Sequence, residues 1–218
     1  MIRAAALLLV LMSACAKEST TAIASVPEER ASRPAATDQV MRGERLLVRG
    51  QLEEAQRVFE AAIDDDPEDA RAWLDLGLAR EARGEPAGAM AAYAKATEID
   101  PAFAEAFNNL GVLQRESGDL PAAIESLERA TTLDPDFTAA RFNLGLAYED
   151  TGRTADAEAE YLATIEQTPG DPVPRINLAM MYLDAGRLDD AAAQLRSCIP
   201  SVSSDVLLSI AVGEGLRR

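Results

Sequence analysis

The side chains that could do chemistry in this 218-residue sequence are two cysteines and 37 carboxylates, because histidine is absent. Without histidine the chain lacks the commonest general base and the commonest transition-metal ligand. Two cysteines cannot build a dense disulfide framework or a zinc site made of cysteine alone. The densest acidic cluster lies at residues 64–69, but its spacing matches no calcium-binding loop and is typical of a solvated junction. We therefore expect no cofactor and no bound metal.

The charge balance restricts the class of partner. The chain has 37 acidic and 21 basic side chains, which gives a formal net charge of −16. A protein that tracks a nucleic-acid backbone needs a basic face, so we expect no nucleic-acid partner. The sequence also contains no GxSxG, P-loop, HExxH or paired CxxC motif. These absences favour a protein that is not an enzyme.

The amino terminus has the layout of a secretory signal. Arg3 is followed by an apolar run over residues 4–14, interrupted by Ser13, and then by Cys15. The run is much shorter than the ~20 residues of a membrane-spanning helix. Its end, Met12-Ser13-Ala14-Cys15, resembles the lipobox of bacterial lipoproteins. That resemblance implies a signal peptide at residues 1–14 and lipidation of Cys15; the alternative is an ordinary signal peptide that leaves Cys15 as a free thiol.

The residues after Cys15 are consistent with a membrane anchor. Residues 15–35 are rich in Ser, Thr, Ala, Pro and Glu and are predicted to form a flexible tether. By resemblance to Gram-negative lipoproteins, Ala16 behind the cysteine favours the outer membrane over the inner one. We expect an outer-membrane lipoprotein that faces the periplasm and contacts the membrane through its lipid only.

The elements that must position any site repeat every 34 residues. Gly84 and its equivalents follow a helix-compatible stretch and are predicted to cap it in the left-handed conformation. The Asp–Pro pairs are predicted to end the second helix of each unit. Four series of residues keep the step of 34: Gly50, Gly84, Gly118, Gly152 and Gly186; Gly43, Gly77, Gly111 and Gly145; Ala55, Ala89, Ala123, Ala157 and Ala191; and Pro67, Pro101, Pro135 and Pro169.

The Gly77 series lies inside the predicted first helix, where glycine costs about 1 kcal/mol relative to alanine. Its recurrence indicates that two helices pack too closely there for a side chain. We expect the alanines of the Ala89 series, on the second helix, to supply the facing small surface.

This pattern resembles the tetratricopeptide repeat, a helix–turn–helix unit of 34 residues. The clearest copy, residues 70–103, carries Trp73, Leu76, Gly77, Gly84, Ala89, Tyr93, Ala96 and Pro101 at signature positions. The resemblance divides residues 36–205 into repeats at 36–69, 70–103, 104–137, 138–171 and 172–205, with a capping half-repeat at 206–218. It implies an all-α, right-handed α-solenoid in which the first helix of each repeat lines a concave groove.

In that family the groove binds a protein or peptide partner. The resemblance places two groups there: an asparagine-rich row, Asp75, Asn108, Asn109, Asn143 and Asn177, and an apolar stripe, Leu74, Leu78, Val112, Phe142, Leu146, Ile176 and Met180. Asparagine can both donate to and accept from a peptide backbone, although asparagine before leucine-glycine is also simply common in this repeat. An exposed apolar patch is typical of an interaction site, and burial by neighbouring helices is the alternative.

We therefore interpret the chain as a lipid-anchored scaffold that binds a protein partner. Lipoproteins of this type include pilus secretin assembly factors and adaptors of peptidoglycan enzymes, and the sequence does not choose between them. Two further interpretations stay open: a regulatory module of an envelope enzyme, and an enzyme with an unrecognised carboxylate site.

Overall fold

The computed structural model describes residues 38–198, with side chains to Ser197. The predicted signal peptide, tether and capping half-repeat, with Cys15, lie outside these residues. Every described element is an α-helix, and the predicted all-α fold class is confirmed. The helices are α1 Asp38–Val48, α2 Leu52–Asp65, α3 Ala70–Ala82, α4 Pro86–Ile99, α5 Ala104–Glu116, α6 Leu120–Leu133, α7 Thr138–Asp150, α8 Thr154–Gln167, α9 Pro172–Asp184 and α10 Leu188–Cys198.

The described chain forms two compact units that divide within α8, at residues 160 and 161. In the first unit, residues 38–160, successive helical hairpins stack on one another as in an α-solenoid, with α2 against α3, α4 against α5 and α6 against α7. In the second unit, α9 packs against α10.

Neighbouring repeats of the first unit share their core. Leu76 of α3 lies in a buried cluster with Phe59 of the preceding repeat, whereas Leu74 of the same helix lies in a cluster with Ala106 of the following one. Trp73 packs against both clusters. A hairpin that buries two of its faces against its neighbours cannot bury them alone, and this is why such repeats occur in arrays.

Glycine ends each first helix, as predicted. Gly84 has φ 74°, and Gly50, Gly118, Gly152 and Gly186 have φ between 71° and 86°. At Gly84 the chain closes the helix with two bonds, from Gly84 N to the Glu81 oxygen at 2.8 Å and from Glu85 N to the Arg80 oxygen at 2.9 Å. The second bond spans five residues, which is the mark of a Schellman cap.

The Asp–Pro pairs end the second helices, also as predicted. Asp66, Asp100 and Asp134 follow α2, α4 and α6 with extended backbones, at φ −139°, −120° and −134°. Each carboxylate accepts a hydrogen bond from the backbone N–H two residues on, at 2.9–3.1 Å. The aspartate therefore both leaves the helix and stabilises the turn that follows.

The interior glycines mark a close helix contact, but the facing group differs from the expectation. A Cβ at Gly77 would overlap the ring of Tyr93, one at Gly43 would overlap Phe59, and one at Gly111 would come within 2.7 Å of the Leu127 Cγ. The glycine therefore accommodates a large side chain of the second helix rather than an alanine, which corrects the prediction.

The repeated alanines are core residues that lie one helical turn before those large side chains. Ala89 comes four positions before Tyr93 on α4, and Ala157 comes four positions before Tyr161 on α8. Gly145, the last glycine of the interior series, is buried within α7. The whole alanine series is fully buried: Ala55, Ala89, Ala123, Ala157 and Ala191.

Candidate functional site

The first helices of neighbouring repeats are bridged by side chains on one common side. Arg71 Nη2 lies 2.6 Å from Glu44 Oε1, joining α3 to α1. Between α5 and α7, Asn143 Nδ2 donates to Asn108 Oδ1 at 2.9 Å and Arg115 Nε donates to Asp150 Oδ2 at 2.6 Å. We call this side of α1, α3, α5 and α7 the A face. It contains Glu44, Arg71, Asp75, Leu78, Glu81, Glu105, Asn108, Asn109, Val112, Arg115, Glu116, Phe142, Asn143, Leu146, Glu149 and Asp150.

The predicted groove residues differ in their accessibility. Half-buried side chains in the first unit are Leu78, Asn109, Val112, Phe142, Asn143 and Leu146, and in the second unit Ile176, Asn177 and Met180. Leu74 is fully buried, because it packs in the core with Tyr93 and Ala106, and it has no surface to offer a partner. Asp75 and Asn108 are also buried, with 2% and 7% of their surface exposed.

The buried Asp75 belongs to an ion network. Arg71 Nε donates to Asp75 Oδ2 at 3.0 Å while its Nη2 reaches Glu44. Burial is the largest effect on the pKa of Arg71 and lowers it, but Asp75, Glu44 and Glu105 together outweigh burial and raise that pKa above its usual value. Two of the three guanidinium nitrogens are thus bonded to carboxylates of the protein, and the buried carboxylate has the charged partner that burial requires.

The asparagine side chains form a connected chain of amides. Asn143 donates to Asn108, and Asn108 Nδ2 donates to Asn109 Oδ1 at 3.0 Å. Part of their hydrogen-bonding capacity is therefore used between neighbouring helices. Asn109 and Asn143 are half-buried and lie at the two ends of this chain.

The last turns of the first helices carry acidic side chains. Glu81 is the next-to-last residue of α3, Glu116 ends α5, and Glu149 with Asp150 ends α7. Glu81 accepts a hydrogen bond from the Tyr93 hydroxyl at 2.7 Å. Burial is the main cause that raises the pKa of this tyrosine, and the Glu81 charge raises it further, so the hydroxyl keeps its proton.

Two family models described as tetratricopeptide repeat match the sequence, one over residues 40–104 and 108–172 and the other over residues 172–197. The chain belongs to the tetratricopeptide repeat family. No curated protein matches it.

Solved structures agree with this tetratricopeptide-repeat fold. MamA is 25% identical, with a TM-score of 0.68 over 80% of this chain and 96% of that one. YrrB, described as a TPR protein with an unusual peptide-binding site, is 22% identical, with a TM-score of 0.68 over 84% of this chain and 92% of that one. PilW, described as a type IV pilus biogenesis factor, is 22% identical, with a TM-score of 0.68 over 82% of this chain and 86% of that one.

One departure from the tetratricopeptide-repeat signature is compensated in the structure. Arg141 stands where an aromatic residue is usual. Its Nη2 donates to the Pro135 oxygen at 3.1 Å, as Trp73 Nε1 donates to the Pro67 oxygen at 2.9 Å at the equivalent position two repeats earlier. In the repeat between them Phe107 has no donor, and Arg129 donates to the Pro101 oxygen instead, at 3.1 Å.

Sequence reasoning missed the Arg71 network, although a signal was present. Arg71 and Asp75 are four residues apart, the spacing at which helical side chains meet.

Over residues 38–197 no group of His, Cys, Asp or Glu side chains could hold a metal ion. None of the ten helices in the described range is long and apolar enough to cross a membrane. The A face can form apolar contacts through its aliphatic side chains, hydrogen bonds through its amides and ion pairs through its carboxylates.

Proposed function

We propose that this tetratricopeptide-repeat chain is a protein-binding scaffold of the bacterial envelope that holds a segment of a partner protein on its A face. The observation that carries the proposal is the combination on this face of half-buried apolar side chains, Leu78, Val112 and Leu146, with the amides of Asn109 and Asn143. Exposed apolar surface beside polar groups that can bond a peptide backbone is the chemistry of peptide docking.

The proposed envelope address rests on the amino terminus. Met12-Ser13-Ala14-Cys15 supports cleavage before Cys15 and its lipidation, and residues 16–35 supply a tether. The fold shared with PilW makes assembly of a pilus complex one candidate role, and an adaptor for peptidoglycan enzymes is the other.

Site-specific photo-cross-linking tests whether a partner docks on the A face. A photo-reactive amino acid replaces Val112 on the A face or, as a control, Leu162, an exposed leucine on α8. In cells that express the full chain we expect a defined adduct with another protein from position 112 and none from position 162. Adducts from position 162 alone would contradict the proposal.

A second variant separates docking from folding. Val112→Asp with Leu146→Asp places two charges on the apolar surface, and we expect it to abolish the adduct formed by a probe at Asn109. Circular dichroism should show unchanged helicity, since both side chains already contact solvent. An adduct that persists in the folded double variant would contradict docking on the A face.

The anchor has its own test. Metabolic labelling with a palmitate analogue should mark the protein, and Cys15→Ala should remove the label. Label retained by Cys15→Ala would refute lipidation at this residue, whatever the A face binds.

A further inference from the structure

The apolar part of the A face forms a regular row. Leu78, Val112 and Leu146 occupy the same position in three successive repeats, on α3, α5 and α7, and all are half-buried. We call these three residues the apolar row. Packed helices lie about 8–10 Å apart, and a polyproline II segment advances about 3.1 Å per residue with three residues per turn, so that every third side chain points the same way. A segment that crosses these helices therefore meets the apolar row with about every third side chain.

An acidic edge runs beside the apolar row. It consists of Glu81, Glu116 and Glu149, and we call it the acidic rim. Each of these residues lies in the last turn of its helix, where the helix dipole adds about half a negative charge. The A face as a whole carries seven carboxylates against the two guanidinium groups of Arg71 and Arg115, so it stays net acidic after its ion pairs are formed. A net acidic face attracts a positively charged ligand.

The cations of the same face are already neutralised. Arg71 is held by Asp75 and Glu44, and Arg115 is held by Asp150. An acidic segment or a free carboxyl terminus would meet carboxylates on the rim and find both guanidinium groups of the face engaged. A second copy of this chain would bring its own net charge of −16.

From this arrangement we infer that the docked segment is cationic: an extended stretch with an apolar residue at about every third position and lysine or arginine between them. Its apolar side chains lie on the apolar row, and its positive side chains face the acidic rim. This inference rests on the proposed function and adds the chemical class of the partner.

Three synthetic peptides of about 12 residues test the inference, each long enough to cross three helices at about 3.1 Å per residue in the polyproline II conformation. One repeats Leu-Lys-Lys, one Leu-Ser-Ser and one Leu-Glu-Glu. The protein should bind the lysine peptide most tightly, the serine peptide at least about tenfold more weakly and the glutamate peptide not at all. Val112→Asp should abolish binding of the lysine peptide.

Matched variants separate rim contacts from general charge attraction. Glu81→Gln with Glu116→Gln removes two rim charges, and glutamine at position 81 can still accept the Tyr93 hydroxyl. Glu125→Gln with Glu166→Gln removes two exposed charges from the second helices α6 and α8 and changes the net charge equally. The rim variant should weaken binding of the lysine peptide by about fivefold more than the control variant.

Each other outcome overturns the inference. Equal losses in the two variants would show that only net charge matters. Equal or tighter binding of the serine or glutamate peptide would assign a different partner class, and so would failure of all three peptides to bind. The cross-link from position 112 does not depend on these peptides. A cross-link together with a failed peptide test would therefore retain the proposed function and reject the cationic class of the partner.

Discussion

A single missing methyl group sets the distance between two helices of a repeat. The ring of Tyr93 occupies the space that a Cβ at Gly77 would need, and Tyr93 is fully buried and bonded to Glu81. Because the ring cannot move aside without breaking its packing, glycine is required at position 77 for space rather than for backbone freedom. Gly88 of α4 is different, since a Cβ there would lie 3.1 Å from the Arg80 Cδ, and this side chain can shift by a few tenths of an ångström while its guanidinium stays bonded to the Gly88 oxygen and Glu60.

The two glycines should therefore respond in opposite directions to the same substitution. Gly77→Ala gains helix propensity of about 1 kcal/mol but overpacks the core at a cost of roughly 1–3 kcal/mol, so we expect a net loss of stability. Gly88→Ala should raise the free energy of unfolding by about 0.5–1 kcal/mol. Urea denaturation followed by circular dichroism measures both. Stabilisation by Gly77→Ala would show that the Tyr93 ring does not obstruct a side chain at position 77.

At the scale of helices, the ends were predictable and the burial of particular side chains was not. Glycine at a left-handed cap and aspartate before proline act through local backbone sterics, which the sequence states directly. Leu74 and Asp75 were placed on an open face by their position in the repeat. Leu74 is buried because α5 packs over it, and Asp75 is buried by an ion network that reaches α1. The i,i+4 spacing of Arg71 and Asp75 indicates that pair, but the contacts with α1 and α5 join residues of different repeats, and no local pattern specifies them.

The helix caps allow a prediction for one element at a time. Gly118 ends α5 with φ 86°, and no atom lies within 4 Å of where its Cβ would be. Gly118→Ala should lower the free energy of unfolding by roughly 1–2 kcal/mol through backbone strain alone. Gly118→Asn should cost less, because asparagine tolerates the left-handed conformation. Equal losses for alanine and asparagine would point to a cause other than the backbone.

At the scale of the whole molecule, acidic charge acts on stability and on binding with opposite signs. The 37 acidic side chains outnumber the 21 basic ones, so the folded chain concentrates like charges that the unfolded chain spreads apart. Ion pairs such as Arg42–Glu54 are exposed, with 62% and 44% of their side-chain surfaces open to solvent, and contribute little against this repulsion. The same excess charge should attract a cationic segment to the A face.

Salt should therefore stabilise the fold while it weakens the binding of the cationic ligand. The distance over which charges act falls from about 30 Å at 0.01 M to about 8 Å at 0.15 M ionic strength. Over this range we expect the urea midpoint of the free protein to rise and its affinity for the Leu-Lys-Lys peptide to fall, with little change for Leu-Ser-Ser. Denaturation curves and peptide titrations at the two salt concentrations measure these effects. A midpoint that falls with salt would mean that specific ion pairs, such as the Arg71 network, outweigh the repulsion of the whole chain.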